Sequence, residues 1–205
     1  RAHAAGIPVV LLTRMAATER YATFVAPDDR AIARDAADFL ARTLHGKGRV
    51  LVLQGLPTAS TAIARTEGFA EGLARHPGMA VAAVVPGNYL RPDALKAMEE
   101  ALERGIAFDA IFAQSDSMAT GARLALRKAG IDPATRPIVG IDYIAEAREA
   151  IRRGEQKASF VYPTCAEEAA AVAVDILAGK KVPRRVRVPS RLVTAAEAER
   201  VEPIF

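Results

Sequence analysis

Short apolar runs alternate with longer stretches of helical periodicity along the whole chain. Ile7-Pro8-Val9-Val10-Leu11-Leu12 is the first such run, bounded by Gly6 and Thr13-Arg14. It reads as a buried strand, with Pro8 tolerated only among its first residues. A short strand from Ala22 to Ala26 follows a polar loop. Pro27-Asp28-Asp29 then caps a helix from about Arg30 to Leu44, whose Ile32, Ala36, Phe39, Leu40 and Leu44 share one face and which Gly46 ends. The cycle repeats with a strand over Val50–Gln54, the turn Gly55-Leu56-Pro57-Thr58 and a helix from about Ala59 to Arg75. Ala80–Val85 is the next strand, closed by Pro86-Gly87-Asn88 and followed by a helix with Pro92 in its first turn and Gly105 at its end. Asp109–Gln114 leads into a helix capped by Ser115 or Asp116 and running to Lys128. Pro137–Ile141 leads into a helix ending at Arg153, and Ala158–Tyr162 into one from about Ala166 to Ala178. An extended tail passes through Val186, Val188, Leu192 and Val193.

Strands interleaved with helices in this way imply βαβ units, a parallel sheet and right-handed crossovers. The strands show no polar alternation, as expected of sheets covered on both faces. The fold class is therefore α/β, and 205 residues can bury roughly 70% of their unfolded surface, enough for one large domain or two small ones. No stretch of 18 apolar residues spans a bilayer, and the first residues lack the basic and apolar pattern of a secretory signal.

Charge and chemistry narrow the function. The 28 basic and 24 acidic residues give a net charge of +4, spread along the chain apart from Lys180-Lys181-Val182-Pro183-Arg184-Arg185-Val186-Arg187. That run suits phosphate contacts or a solvated edge strand, and the edge strand is the expected reading, since charge and Pro discourage edge pairing. No helix gathers base-reading side chains beside Lys and Arg, so no nucleic-acid partner is expected. The sequence has no Gly-x-Ser-x-Gly, no phosphate loop and no Gly-x-Gly-x-x-Gly. His3, His45 and His76 are scattered, two of them near helix ends facing solvent, and no His, Asp or Glu cluster has metal-ligand spacing. Cys165 is expected to be a small packed hydrophobe. An enzyme, a metal site and a cofactor are thus not expected.

In open parallel sheets, ligands bind beyond the carboxyl ends of the strands. Thr13-Arg14, Gln54-Gly55, Asn88-Tyr89, Gln114-Ser115-Asp116, Asp142 and Tyr162 occupy those ends, with Arg65 in the helix after Gln54. This set suits a neutral, hydroxyl-rich small molecule: bidentate groups hold hydroxyls and an aromatic face covers the apolar side. Ser115, Asp116 and Asp142 equally suit plain helix capping.

Three segments carry a family resemblance. Val50-Leu51-Val52-Leu53-Gln54-Gly55 with Ser60 and Arg65-Thr66-Glu67-Gly68-Phe69 resembles the LQG…S…R-x-E-G-F signature of ribose-binding-type periplasmic proteins. Phe112-Ala113-Gln114-Ser115-Asp116-Ser117-Met118-Ala119 and Ile138-Val139-Gly140-Ile141-Asp142 resemble that family's FAQND-x-MA and VVGFD, and Gly6-Ile7-Pro8-Val9-Val10 with Arg14 its NIPV…DR. Lactose-repressor-type regulators share the same core. The resemblance implies the two-lobed type I periplasmic binding protein architecture, with Rossmann-like parallel sheets flanked by helices and joined by a multi-strand hinge. It places residues 1–27 and 163–188 in the N-terminal lobe, and 28–162 and 189–205 in the C-terminal lobe.

The resemblance also implies roles. Arg14 matches an arginine gripping sugar hydroxyls from the first lobe, and Arg65 matches its counterpart in the second. Tyr89 matches an aromatic stacked on the sugar ring, Ser115 and Asp142 match groups bonding hydroxyls, and Tyr162 falls near a hinge glutamine. Thr13 stands where the family has Asp, and Ser115 where it has Asn or Asp. Both partners are shortened, which leaves room for a larger or less hydroxylated ligand than ribose. The likeness begins at what would be the fourth strand of the first lobe, so the family pattern puts about two to three βα units of roughly 30 residues each ahead of it. Without them the apolar faces of Ile7–Leu12 and of the helix after Thr164 would be open to water, which a stable monomer seldom tolerates. The implied function is a periplasmic solute-binding protein of an ABC uptake system, taking a sugar or polyol by hinge closure and handing it to a membrane permease. The alternatives are the effector-binding core of a regulator, or the sensor domain of a receptor. Ser190-Arg191-Leu192-Val193-Thr194 looks more like the transporter-associated members.

Overall fold

The computed structural model describes residues 1–205, with the side chain of His3 outside the described residues. In chain order the elements are β1 (Val10–Leu12), β2 (Thr23–Ala26), α1 (Asp29–Thr43), β3 (Gly48–Gln54), α2 (Ser60–Leu73), β4 (Met79–Pro86), α3 (Arg91–Glu103), β5 (Ala110–Ala113), α4 (Asp116–Lys128), β6 (Ile138–Asp142), α5 (Ala145–Arg152), β7 (Ala158–Val161), α6 (Ala166–Leu177), β8 (Arg185–Arg187) and β9 (Arg191–Thr194). The chain divides into two compact units, Arg1–Asp28 with Pro163–Ser190, and Asp29–Tyr162 with Arg191–Phe205. No helix is long and apolar enough to cross a membrane.

The larger unit holds a six-stranded sheet in the order β4-β3-β5-β6-β7-β9. Its pairings are parallel except the last, where β9 runs antiparallel to β7 with Phe160 opposite Leu192. There β9, formed by the extended tail, joins as an edge strand, a common addition to parallel sheets. Alternate side chains of β3 point to opposite faces. Val50 and Val52 pack with Ile32 and Leu40 of α1 and with Phe69 and Leu73 of α2. Leu51 and Leu53 pack with Ala94 and Met98 of α3 and with Met118, Ala122 and Leu126 of α4. Phe69 stacks on Phe112 of β5 with ring centroids 4.5 Å apart. Each such fully buried side chain contributes about 1.5–3 kcal/mol. The edge strand β4 departs from the doubly covered pattern, since its Val81 and Val84 are exposed. A smaller cluster of Tyr143, Ile151, Val193, Ala198 and Val201 ties down the tail, where the Tyr143 hydroxyl donates to the Val201 carbonyl at 3.1 Å.

The smaller unit holds a parallel three-stranded sheet, β1-β2-β8. The sequence predicts a six-residue buried strand at Ile7–Leu12. The structure forms only Val10–Leu12, and none of the three is fully buried. Pro8 donates no ladder hydrogen bond, and β1 has β2 as its single neighbour. Ile7 remains 57% and Leu12 42% exposed. On α6 the only buried residue is Val172, while Val174 and Leu177 are 64% and 84% exposed. The basic run forms the opposite edge, β8, as a solvated edge strand. Cys165 is buried with Val25 and Val188. His76 does not point freely to solvent: its Nε2 lies 2.8 Å from Asp38 Oδ1 in the larger unit.

Candidate functional site

The strand order creates a crevice. The chain leaves β3 for its neighbour β4, then crosses to β5 on the other side of β3. Where the direction of winding reverses, the loops beyond the carboxyl ends of β3 and β5 part company and leave room for a ligand. Gln54 and Gly55 end β3, and Gln114 ends β5.

Gln114 joins the two ends. Its Oε1 accepts from the Gly55 amide at 3.0 Å, and its Nε2 donates to Thr66 Oγ1 at 2.9 Å. Gln54 Nε2 donates to the same Thr66 oxygen at 2.9 Å. One turn of α2 brings Arg65 alongside. Arg65 Nε donates to Asp29 Oδ1 at 2.7 Å, and Nη1 donates to the Gln114 carbonyl. The Tyr162 ring lies 4.7 Å and the Tyr89 ring 5.9 Å from the guanidinium carbon. Tyr162 in turn donates its hydroxyl proton to Asp29 Oδ2 at 3.2 Å. Arg65 and Asp29 are both buried, so this is a desolvated ion pair held by further hydrogen bonds. Burial opposes the charge on Arg65, but Asp29, Tyr89, Tyr162 and Asp142 more than offset it and hold the guanidinium charged. Burial and Asp29 push the Tyr162 hydroxyl pKa above its ordinary value, so the phenol keeps its proton.

Tyr89 is set by backbone as much as by contacts. Asn88 and Tyr89 carry successive positive φ angles of 53° and 64°. The Tyr89 hydroxyl shares a 2.7 Å hydrogen bond with Thr61 Oγ1. Its ring lies against Gly55, where a Cβ would stand 2.0 Å from the ring, so only glycine admits the aromatic there. Asp142 ends β6 at φ 118°, and burial, with help from Asp116, raises its carboxyl pKa to about 7 against the pull of Arg65.

Of the seven residues singled out by sequence, Arg65, Tyr89 and Tyr162 are thus in direct contact, and Asp142 acts on Arg65 by charge. Ser115 is adjacent in the chain but committed: it is buried, and its Oγ accepts from the Met118 amide at 3.3 Å as the cap of α4. Thr13 and Arg14 follow β1 in the smaller unit, Thr13 at φ 54° with its amide bonded to the Val25 carbonyl and Arg14 exposed. Sequence reasoning read Asp29 as part of a helix cap and Asp116 as a strand-end group or helix cap, and gave Thr61 and Thr66 no part. The only signal for the network was that Gln54 and Gln114 both stand at strand ends. No group of three or more His, Cys, Asp or Glu side chains among the described residues is arranged to hold a metal ion.

A family model described as "Periplasmic binding protein domain" matches residues 1–181. The chain belongs to this family. Among its relatives, the xylitol-binding protein of Mycolicibacterium smegmatis is 34% identical over 151 residues, 73% of this chain and 43% of that protein. The ribose import binding protein of Salmonella typhimurium is 31% identical over 194 residues, 94% of this chain and 64% of that protein. The chain therefore spans less than two thirds of the length of these curated relatives. Among solved structures, the fructose-binding periplasmic domain of a hybrid two-component system superposes with a TM-score of 0.92 at 28% identity, covering 97% of this chain and 67% of that one. A Mycobacterium smegmatis protein in complex with β-D-fucofuranose superposes with a TM-score of 0.90 at 30% identity, covering 97% and 68%. The periplasmic binding protein fold accounts for the α/β alternation read from the sequence, and the family is one of binding proteins rather than enzymes.

Proposed function

We propose that the chain is the ligand-binding part of an extracytoplasmic solute-binding protein serving an ABC uptake system, and that its ligand is a sugar or related polyol. One observation carries the reading: a buried, charged Arg65 locked by Asp29 and the Gln114 carbonyl between two tyrosine rings, at the reversal of a parallel sheet. A sugar offers hydroxyls to a fixed guanidinium fork and a carboxylate, and C–H faces to aromatic rings. Arg65 and Asp142 are proposed to bond hydroxyls, Tyr89 and Tyr162 to cover the ring, and Ser115 to shape the end of β5. Thr13 and Arg14 are the proposed contribution of the smaller unit on hinge closure, with ligand favouring the closed form. Its relatives, a xylitol-binding protein and a ribose import binding protein, favour uptake over a regulator core. A membrane permease is the proposed partner and the periplasm the proposed location.

The test is calorimetric titration with D-ribose, xylitol, myo-inositol, D-fructose and galactofuranose. At least one should give a saturable heat, and Arg65→Ala should weaken it at least tenfold, the loss of a charged hydrogen bond worth about 1.5 kcal/mol or more. No heat and no melting shift with any of the five would overturn the reading.

A further inference from the structure

We propose that Asp116 is a positioning residue for Asp142: its carboxylate grips the Asp142–Tyr143 turn and so aims the Asp142 side chain. The inference rests on the site described above and adds to it the group that orients one of its members.

The turn needs holding. Asp142 at φ 118° and Tyr143 at φ 60° are consecutive non-glycine residues in conformations that L side chains rarely adopt. Such backbone persists only where the surroundings over-determine it. Here the Tyr143 amide is held from the neighbouring elements: it donates to Asp116 Oδ2 at 2.6 Å and to Ser159 Oγ at 3.1 Å.

The Asp116 carboxylate is itself anchored on every side. Ser159 of β7 donates to Oδ2 at 2.7 Å. Gln156 Nε2 donates to Oδ1 at 2.8 Å, and Gln156 Oε1 accepts from Arg123, which also bonds Thr120 at 2.7 Å. The carboxylate is fully buried and makes no ion pair of its own among the described residues. Burying a carboxylate is expensive unless all its oxygens are bonded, and these are. The neighbouring strand makes way for it: a Cβ on Gly140 would lie 1.9 Å from Asp116 Oδ1. Gly140 of the Ile138–Asp142 motif and Asp116 of the Phe112–Ala119 motif thus form one device, built from two segments that sequence alone leaves unrelated.

A simple staple between α4, β6 and β7 would hold the same bonds without acting on Asp142. The electrostatics separate the two roles. The charged groups acting on Asp142 are Asp116 of α4, Arg65 of α2 and Asp29 of α1. After burial, Asp116 is the largest influence raising Asp142 to about 7, while burial raises Asp116 itself to about 6. Both carboxyls are thus held above the ordinary carboxylate range, Asp142 in part by the charge of Asp116.

The deciding experiment is an NMR titration of the unliganded chain from pH 4 to pH 9, carrying carbon-13 at aspartate carboxyls and nitrogen-15 at amides. In Asp116→Asn the Asp142 midpoint should fall towards the ordinary carboxylate range, and the Tyr143 amide should lose its pH-dependent shift. A folded Asp116→Asn in which Asp142 titrates as in wild type overturns the proposal. If that variant fails to fold, Ser159→Ala removes one donor to Oδ2 and the second acceptor of the Tyr143 amide, leaving that amide on Asp116 alone; the Asp116 midpoint should rise with the Tyr143 amide following it, and an amide indifferent to pH overturns the proposal. Calorimetry with D-ribose and xylitol at pH 6 and pH 8 separates this inference from the functional one. If wild type binds either sugar and a folded Asp116→Asn binds it with the same affinity and pH profile, the positioning role fails while the site stands. If neither sugar binds wild type, the titration alone judges the clamp, and the sugar reading is decided by the other three ligands of the panel.

Discussion

Val50-Leu51-Val52-Leu53 in β3 and Val10-Leu11-Leu12 in β1 are equally apolar runs, yet every residue of the first is buried and none of the second. The difference lies in their neighbours. β3 is flanked by β4 and β5, with α1 and α2 on one face and α3 and α4 on the other. β1 has one strand beside it, and α6 contributes a single buried side chain to the smaller unit. An apolar run therefore predicts a strand, but its depth is set by what the rest of the chain brings to it. The same contrast divides the ionic groups. The larger unit carries its key arginine, Arg65, desolvated and paired with the buried Asp29, while the smaller carries Arg184 half-exposed over the Tyr21 ring at 3.7 Å.

The largest test of this contrast is truncation at matched positions. Phe112→Ala removes a fully buried ring stacked on Phe69 and should cost about 3–5 kcal/mol in urea unfolding. Leu177→Ala, on the exposed end of α6, should cost under about 0.5 kcal/mol. Comparable losses at the two sites would mean that α6 is covered in solution, and the contrast would dissolve.

Arg65→Ala comes next. It leaves Asp29 buried with no guanidinium, and removing one partner of a buried pair typically costs about 3 kcal/mol. The Tyr162 hydroxyl remains as a donor to Asp29, so the expected loss sits at the lower end of that class. A loss under about 1 kcal/mol would show that water reaches Asp29 and that the pair is less desolvated than its burial indicates.

Stability should also depend on pH through the larger unit. Asp142 and Asp116 hold protons in the folded chain up to about 7 and about 6, well above the ordinary carboxylate range near ~4. Within that window the folded state binds more protons than the unfolded chain. Stability from this pair is therefore fully present below the unfolded value and declines as pH rises to about 7. Glu71 acts in the opposite sense: hydrogen bonds from Arg30 hold it at about 2, so its exposed contribution is lost only in strong acid. Melting temperature should be higher at pH 5 than at pH 8, and Asp142→Asn should flatten the difference. A wild-type profile flat from pH 5 to pH 8 would sink the assignment.

Much of this was legible in the sequence, and the illegible part has a physical pattern. Strand and helix positions follow from periodicity, and Arg65, Tyr89 and Tyr162 from their places after strands, because chain-local signals fix both. The depth of β1 was misread because burial depends on neighbours far away in the chain. Asp29 and Thr66 escaped as site residues because their partners lie 36 and 48 residues away, and Asp116, noticed at its strand end, reaches a partner 27 residues on that no local pattern shows. A first-turn aspartate that pairs with a buried arginine looks the same, letter for letter, as one that faces water. Ser115 shows the converse: strand-end position left it open between ligand contact and helix cap, and its hydroxyl accepts from the local amide three residues on.

The smallest expected effect sharpens the contrast most cleanly. Arg184 donates to Glu19 Oε2 at 2.8 Å and to the carbonyls of Glu19 and Tyr21, and it stacks on the Tyr21 ring. By partners alone it rivals Arg65. Its side chain is nevertheless 49% exposed and that of Glu19 is 91% exposed, so water competes for every one of those bonds. An exposed ion pair and cation–π contact together should contribute under about 1 kcal/mol, and the ionic share should shrink in high salt. Arg184→Ala should thus shift the urea midpoint far less than Arg65→Ala, and the gap should widen in 0.5 M salt, about the ionic strength at which surface pairs are largely screened. If Arg184→Ala costs as much as Arg65→Ala and resists salt, the Tyr21–Arg184 stack is dry in solution. Depth, not the number of partners, would still govern the energetics, and the smaller sheet would have to be reckoned as covered.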